Sequence, residues 1–248
     1  MPATHYKVWE WGSRVGRGAM DSCYVGVAGV AKRATDAHPY AVVNELVCGD
    51  LARVLRLPCP PGFIVDREGV PYHVSLNFNL SGEDLPPADA TAIAANHPEV
   101  SWAIIAFDAL IVNGDRHTRN LAYDEDREAI QLFDHSHALM TGNDPRARLE
   151  GLEDELGIGG HCLANAITTL DGLDEACDRI VGVPGYYIRD AVEAAKAVGL
   201  ADDDATVCRD FILARQGRIE ELIRTNRDRF AGVADELWNG DEPEEAEA

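Results

Sequence analysis

The stretch from Phe107 to Leu139, FDALIVNGDRHTRNLAYDEDREAIQLFDHSHAL, constrains this chain more than any other. It opens on the end of an apolar helix and continues into a polar loop, Asn113 to Asn120. Two short apolar strands follow, Leu121–Tyr123 and Ile130–Phe133, separated by an acidic turn; the second delivers Asp134. Such a pair of strands carries a loop Asp, a loop Asn and a strand-end Asp toward one another.

Phosphoryl transfer needs these groups. One carboxylate orients or deprotonates the attacking hydroxyl, and an amide with a second carboxylate holds magnesium on the phosphates. Asp115 and Asn120 are five residues apart, the Asp-to-Asn spacing of a kinase catalytic loop, and Asp134 follows where the metal-binding Asp belongs. The D-R-H-x-x-N run with its later strand-end Asp resembles the HipA-like bacterial kinases and the phosphoinositide kinases, which share a divergent protein-kinase-like fold. The resemblance spans roughly residues 12 to 140. It implies an upstream strand Lys held by a helix Glu. Lys32, ending Val27-Ala-Gly-Val-Ala-Lys32, fits the first; Glu45, thirteen residues later, fits the second. It further implies ATP and Mg²⁺ as cofactors, with Asp115 and His117 in the catalytic loop and Asn120 and Asp134 as metal ligands. Two departures are visible, Asp134-His135-Ser136 in place of Asp-Phe-Gly and no Ala-Pro-Glu run after it, and the extra N-terminal domain of HipA proteins is not expected.

Composition narrows the class. With 248 residues, 46% of them hydrophobic, the chain can build a sizeable core. No apolar run approaches 18 residues and the N-terminus lacks a basic-then-apolar signal, so a cytoplasmic protein is expected. Six scattered cysteines form no CxxC pair, which argues against a zinc ribbon and for buried free thiols. A net charge of -21 argues against nucleic acid or anionic membrane as the main partner. Residues 1–33 nevertheless hold five basic and two acidic groups, a net of +3, whereas residues 150–248 hold nine and 24, a net of -15. Only three lysines occur, at positions 7, 32 and 196.

In chain order, Val8–Gly12 and Cys23–Val27 read as strands around a turn containing Gly16, Arg17 and Gly18. A strand, glycine-rich turn and strand can cover phosphates with backbone N–H groups, so Arg17 and Gly18 join Lys32 and Glu45 as candidate nucleotide contacts. A plain hairpin uses glycine equally well. A helix is expected within His38–Leu57, with Val43, Leu46, Val47, Leu51 and Leu55 at helical spacing and Pro39 at an early position. Phe63–Asp66 and Val70–Leu76 read as a hairpin around Arg67-Glu68-Gly69, and Asn77–Gly82 as the connector between lobes. Helices are expected over Pro86–Asn96 and Pro98–Val112. Further ones are expected near Leu149–Leu156 and Cys162–Leu170, then over Tyr186–Val198 and Ala205–Arg215. One final helix of about five turns is marked by Ile219 to Leu237.

The expected architecture is α+β and two-lobed: a small β-rich N-lobe over residues 1–80, a mainly helical C-lobe over 81–240, and a disordered acidic tail over 241–248 whose removal leaves folding unchanged. The expected activity is transfer of the ATP γ-phosphate to a hydroxyl, with protein Ser/Thr as acceptor. Two other classes compete. A metallohydrolase would use His117, His135 and His137 with Asp115 or Asp134 around zinc or manganese. A pseudokinase would bind nucleotide without turnover.

Overall fold

The computed structural model describes residues 6, 8–16, 22–78, 87–124, 128–142 and 144–239. The fold is mixed α+β, with small antiparallel sheets in the N-terminal third and a mainly helical remainder that carries one further β-hairpin. β1 (Val8–Arg14) and β2 (Cys23–Val27) pair antiparallel with irregular register after Val8 and after Trp11. Gly12 keeps the two strands close, because a Cβ there would lie 3.1 Å from Tyr24 Cβ. A three-stranded sheet of order β3-β5-β4 follows, formed by β3 (Gly29–Arg33), β4 (Gly62–Arg67) and β5 (Val70–Leu76). Lys32 and Ile64 both pair with His73 across it. The β4–β5 turn is two residues long rather than three. Arg67 pairs with Val70, and Glu68 and Gly69 both take positive φ, 58° and 79°, the geometry that matches strand twist.

Between β3 and β4 lies α1 (Ala41–Val54), which packs on all three strands of that sheet. Pro39 lies in the turn before α1 rather than in its first turn. α2 (Ala90–Asn96) is capped by Asp89, whose carboxylate accepts the Thr91 and Ala92 N–H groups at 2.9 and 3.0 Å. α3 (Pro98–Leu110) starts on a proline and is buried at every residue from Ser101 to Leu110. Buried on every side over these ten residues, it sits at the centre of the core and carries Asp108 inside it. It leads through the loop 111–120 into the hairpin β6 (Leu121–Asp124) and β7 (Ala129–Leu132), registered Leu121↔Leu132.

The helical region departs from expectation in three places. The helix expected at Leu149–Leu156 is α4 (Pro145–Gly151), started by Asp144, which accepts the Ala147 N–H at 3.0 Å. Cys162–Leu170 is a series of turns that buries Leu163 and Ile167, and α5 (Leu173–Val181) forms beyond it with Leu173, Ala176, Cys177 and Ile180 inward. After α6 (Gly185–Ala194), a 3₁₀ turn (Ala195–Val198) and α7 (Asp202–Gln216), the single final helix is broken into α8 (Ile219–Thr225), a 3₁₀ turn (Arg227–Arg229) and α9 (Asp235–Trp238). The chain bends so that Phe230 meets Trp102, ring centroids 5.0 Å apart, and Gly232 lies where a Cβ would come 2.5 Å from the Ile167 carbonyl.

All six cysteines are free; Cys48, Cys177 and Cys208 are buried, whereas Cys23 is exposed. Among the described residues no helix is long and apolar enough to cross a membrane. The expected lobe boundary at residues 80/81 and the tail at 241–248 lie outside the described residues.

Candidate active site

The helix residue Glu45 and the strand residue Lys32 meet. Lys32 Nζ lies 2.7 Å from Glu45 Oε1 and 2.7 Å from Asp134 Oδ1. Glu45 is 5% exposed, so this carboxylate is a core group and not a solvated helix residue. Its Oε1 also accepts the His135 N–H at 3.2 Å. Ser136 Oγ stands between the two acids, 3.0 Å from Glu45 Oε1 and 2.7 Å from Asp134 Oδ1, and its single proton serves one of them. Burial opposes ionisation of Glu45, but His135 and Lys32 outweigh it and hold the carboxyl below its usual range. Burial likewise works against Asp134, and Lys32 with Ser136 reverses it, again downward. Lys32 shows the mirror effect: burial pulls its ammonium down, and Glu45 and Asp134 raise it above the ordinary lysine value. All three are charged at neutral pH. Asp134 sits at φ 63°, a strained position for a residue with a side chain, as residues at functional sites often are.

The loop from Asn113 to Asn120 is fastened from below. Asp108, fully buried on α3, accepts from Arg116 Nε at 2.7 Å and Nη2 at 3.1 Å, from Asn113 Nδ2 at 2.9 Å, and from His161 Nε2 at 3.0 Å. His161 Nδ1 accepts the Ala164 N–H, which places the ring proton on Nε2, facing Asp108. Arg116 Nη1 donates to the carbonyls of Asn120 and Phe133, joining the loop to the residue before Asp134. Asn120 Nδ2 donates to the Asp115 carbonyl at 2.9 Å, so these two residues are locked across five positions. Asp115 is half-buried, with its N–H on Asn113 Oδ1 at 3.3 Å. His117 is exposed, and its Nδ1 accepts the Arg119 N–H.

A cleft of about 710 Å³ opens beside Lys32. Val30, His73 and Leu76 form its sheet side, Glu45 and Leu46 its α1 side, and Arg119, Phe133 and Asp134 its opposite wall. The rings of Phe78 and Phe133, 5.5 Å apart, meet at one end. Asp115 and Asn120 do not line the cleft itself. Arg17 and Gly18, and residues 79–82 of the expected connector, lie outside the described residues. A carboxylate such as that of Asp134 and an amide oxygen such as Asn120 Oδ1 are the ligand types that a hard cation such as Mg²⁺ takes.

The histidine metal site does not assemble: among the described residues no group of three His, Cys, Asp or Glu side chains is placed to hold a metal ion. His135 is buried against Phe107, ring centroids 5.8 Å apart, while His137 stacks edge-on with His38 at 4.9 Å. The sequence reading missed Asn44, Ser136, Asp108 and His161. Asp108 had a signal, as the only acid inside the run Ser101–Val112. Ser136 and Asn44 had none.

No protein-family model matches this sequence, and no curated protein matches it. Among solved structures, HipA of Shewanella oneidensis MR-1, in complex with HipB and operator DNA, is 14% identical over 96% of this chain and 75% of that one, with a TM-score of 0.45. The proinflammatory kinase CtkA of Helicobacter pylori is 12% identical over 81% of this chain and 90% of that one, with a TM-score of 0.54. This chain has a two-lobed, kinase-like fold.

Proposed function

We propose that this protein is an ATP- and Mg²⁺-dependent kinase of HipA-like type, transferring the γ-phosphate to a hydroxyl, with protein Ser/Thr as acceptor. One observation carries the reading: a lysine held at 2.7 Å by both a buried helix glutamate and a strand-end aspartate, at the wall of a nucleotide-sized cleft. Lys32 can exchange Asp134 for a phosphate oxygen while Glu45 keeps its ammonium in place. Asp134 and Asn120 are the residues that would hold the cation, which would neutralise phosphate charge when bound. Asp115 then orients the acceptor hydroxyl and takes its proton. His117 braces the loop through the Arg119 N–H. Arg17 and Gly18 are proposed to cover the phosphates.

Thermal melting with and without Mg-ATP tests this. Ligand at about 100 times its dissociation constant stabilises by about 2.7 kcal/mol, roughly 5–10 °C for a chain of this size. Asp134→Asn is expected to remove most of that shift, and Lys32→Ala to reduce it. Asp115→Ala is expected to keep the shift and lose transfer to protein, because its work is done in the transition state. No shift in the wild-type protein would sink the kinase reading. A shift without phosphoryl transfer to any protein acceptor would favour a nucleotide-binding pseudokinase.

A further inference from the structure

The geometry points to Arg148 as a positioning residue that holds the segment carrying Asp115 and the segment carrying Asp134 in one fixed relation. Arg148 lies on α4, outside the cleft, and its guanidinium donates to two backbone carbonyls: Nη1 to Leu139, and Nη2 to Val112 at 3.1 Å. Val112 begins the loop that leads to Asp115. Leu139 ends the turn that follows Asp134. These two residues are fully buried and both take positive φ, 47° and 24°. A β-branched residue at positive φ is an outlier that persists only where its surroundings enforce it. Gly157 is part of that enforcement, since a Cβ there would meet Val112 Cγ1 at 2.7 Å. The two segments also touch directly, the Leu139 N–H donating to the Ile111 carbonyl at 3.0 Å.

Among the described residues no carboxylate pairs with Arg148, so these carbonyls are what its guanidinium meets. A planar fork that spans two acceptors suits arginine; lysine offers only a point charge. On its other side the Asp134 segment is held separately. Asn44 Nδ2 lies within 3.0 Å of the Ser136, Ala138 and Met140 carbonyls, and Asn44 Oδ1 accepts the Met140 N–H. Loss of Arg148 therefore leaves Lys32, Glu45 and Asp134 together and loosens their relation to Asp115. The consequence for turnover rests on the kinase reading of the cleft; the consequence for the backbone does not.

The test compares wild type, Arg148→Met, which keeps the stem and removes the donors, and Arg148→Lys. Amide hydrogen exchange is followed in nucleotide-free protein over peptides covering 107–121 and 133–141, at a temperature where each variant is folded. In Arg148→Met both segments are expected to exchange about 10- to 100-fold faster, the scale of the one charge-assisted hydrogen bond that each segment loses. Arg148→Lys is expected to fall between. The kcat for phosphoryl transfer should drop about tenfold or more while the KM for ATP moves less than about threefold. Faster exchange in one segment alone, or in neither, overturns the inference, as does a rise in ATP KM matching the fall in kcat. Should Arg148→Met fail to fold, the exchange of Arg148→Lys decides by the same criterion. Joint loosening in a protein that lacks kinase activity would keep the clamp and remove the kinase reading.

Discussion

Asp108 shows how one residue secures a whole loop. Burial alone would keep its carboxyl neutral, but Arg116 overrides that penalty, with help from His161, and drives it below the ordinary carboxylate range. The pair is worth having only while complete. Removing one partner of a buried ion pair strands the other charge in the core, at a cost of about 3–5 kcal/mol, whereas replacing both with apolar groups is often near neutral. Asp108→Asn and Arg116→Met are each expected to lower stability by that amount in urea unfolding. The double variant Asp108→Leu/Arg116→Met should lose less than the sum of the two. Strict additivity would show that the charges do not depend on one another.

Among the elements, α3 is the one against which the others are placed. Arg215 on α7 reaches it across the core, donating to the Ala109 carbonyl near its C-terminus and to carbonyls of Leu152, Glu153, Glu155 and Leu156. Burial lowers the Arg215 guanidinium to about 10, which leaves it charged at neutral pH against the negative end of the helix. At the other end of α3, α5 begins on Gly172 at φ 91°, and a Cβ there would meet Glu99 Cα at 2.4 Å. Gly199 has a similar φ of 103° but nothing within 4 Å of a Cβ. Gly199→Ala should cost only the conformational strain, about 1–2 kcal/mol. Gly172→Ala should cost clearly more, because the two helices must also separate. Equal urea midpoints for the two variants would contradict this packing.

At the scale of the molecule, the ionised core groups define a pH window. Glu45, Asp134 and Asp108 have folded values below their unfolded ones. Their contribution is complete above the unfolded values, near 4, and is lost as pH falls through the folded values. The thiols of half-buried Cys59 and buried Cys208 are pushed up to about 12, chiefly by desolvation. Their contribution is complete below the unfolded thiol value and is lost as pH rises through the folded one. Lys32, also raised, adds to the loss at the alkaline end. His73, which burial holds below the ordinary imidazole value, starts the acid loss, so stability is expected to be level between about pH 7 and 8, falling on both sides. Urea midpoints from pH 2 to 11 measure this. Glu45→Gln should have a shallower acid limb than wild type, and superimposable acid limbs would show that Glu45 does not contribute.

The sequence by itself determined the parts whose cause is local. β2, β7 and the β4–β5 hairpin follow from apolar runs bounded by turn residues, and α1 and α3 follow from periodicity over a few turns. Lys32, Glu45 and Asp134, expected together only from the family resemblance, do meet in the structure. Local preference reaches only about four residues along the chain, and what the tertiary structure decided acts over far longer separations. Glu45 is buried because Lys32 and the 134–136 turn meet it there. Asn44 bonds carbonyls 92 to 96 residues away. The final helix breaks where Phe230 reaches Trp102 and Gly232 reaches Ile167, although its own spacing is helical. Val112 and Leu139 adopt backbone angles that their side chains disfavour, and Arg148 holds the carbonyls of both. A hydrogen bond or packing contact that exists only after the chain has closed on itself leaves no periodicity in the residues that make it.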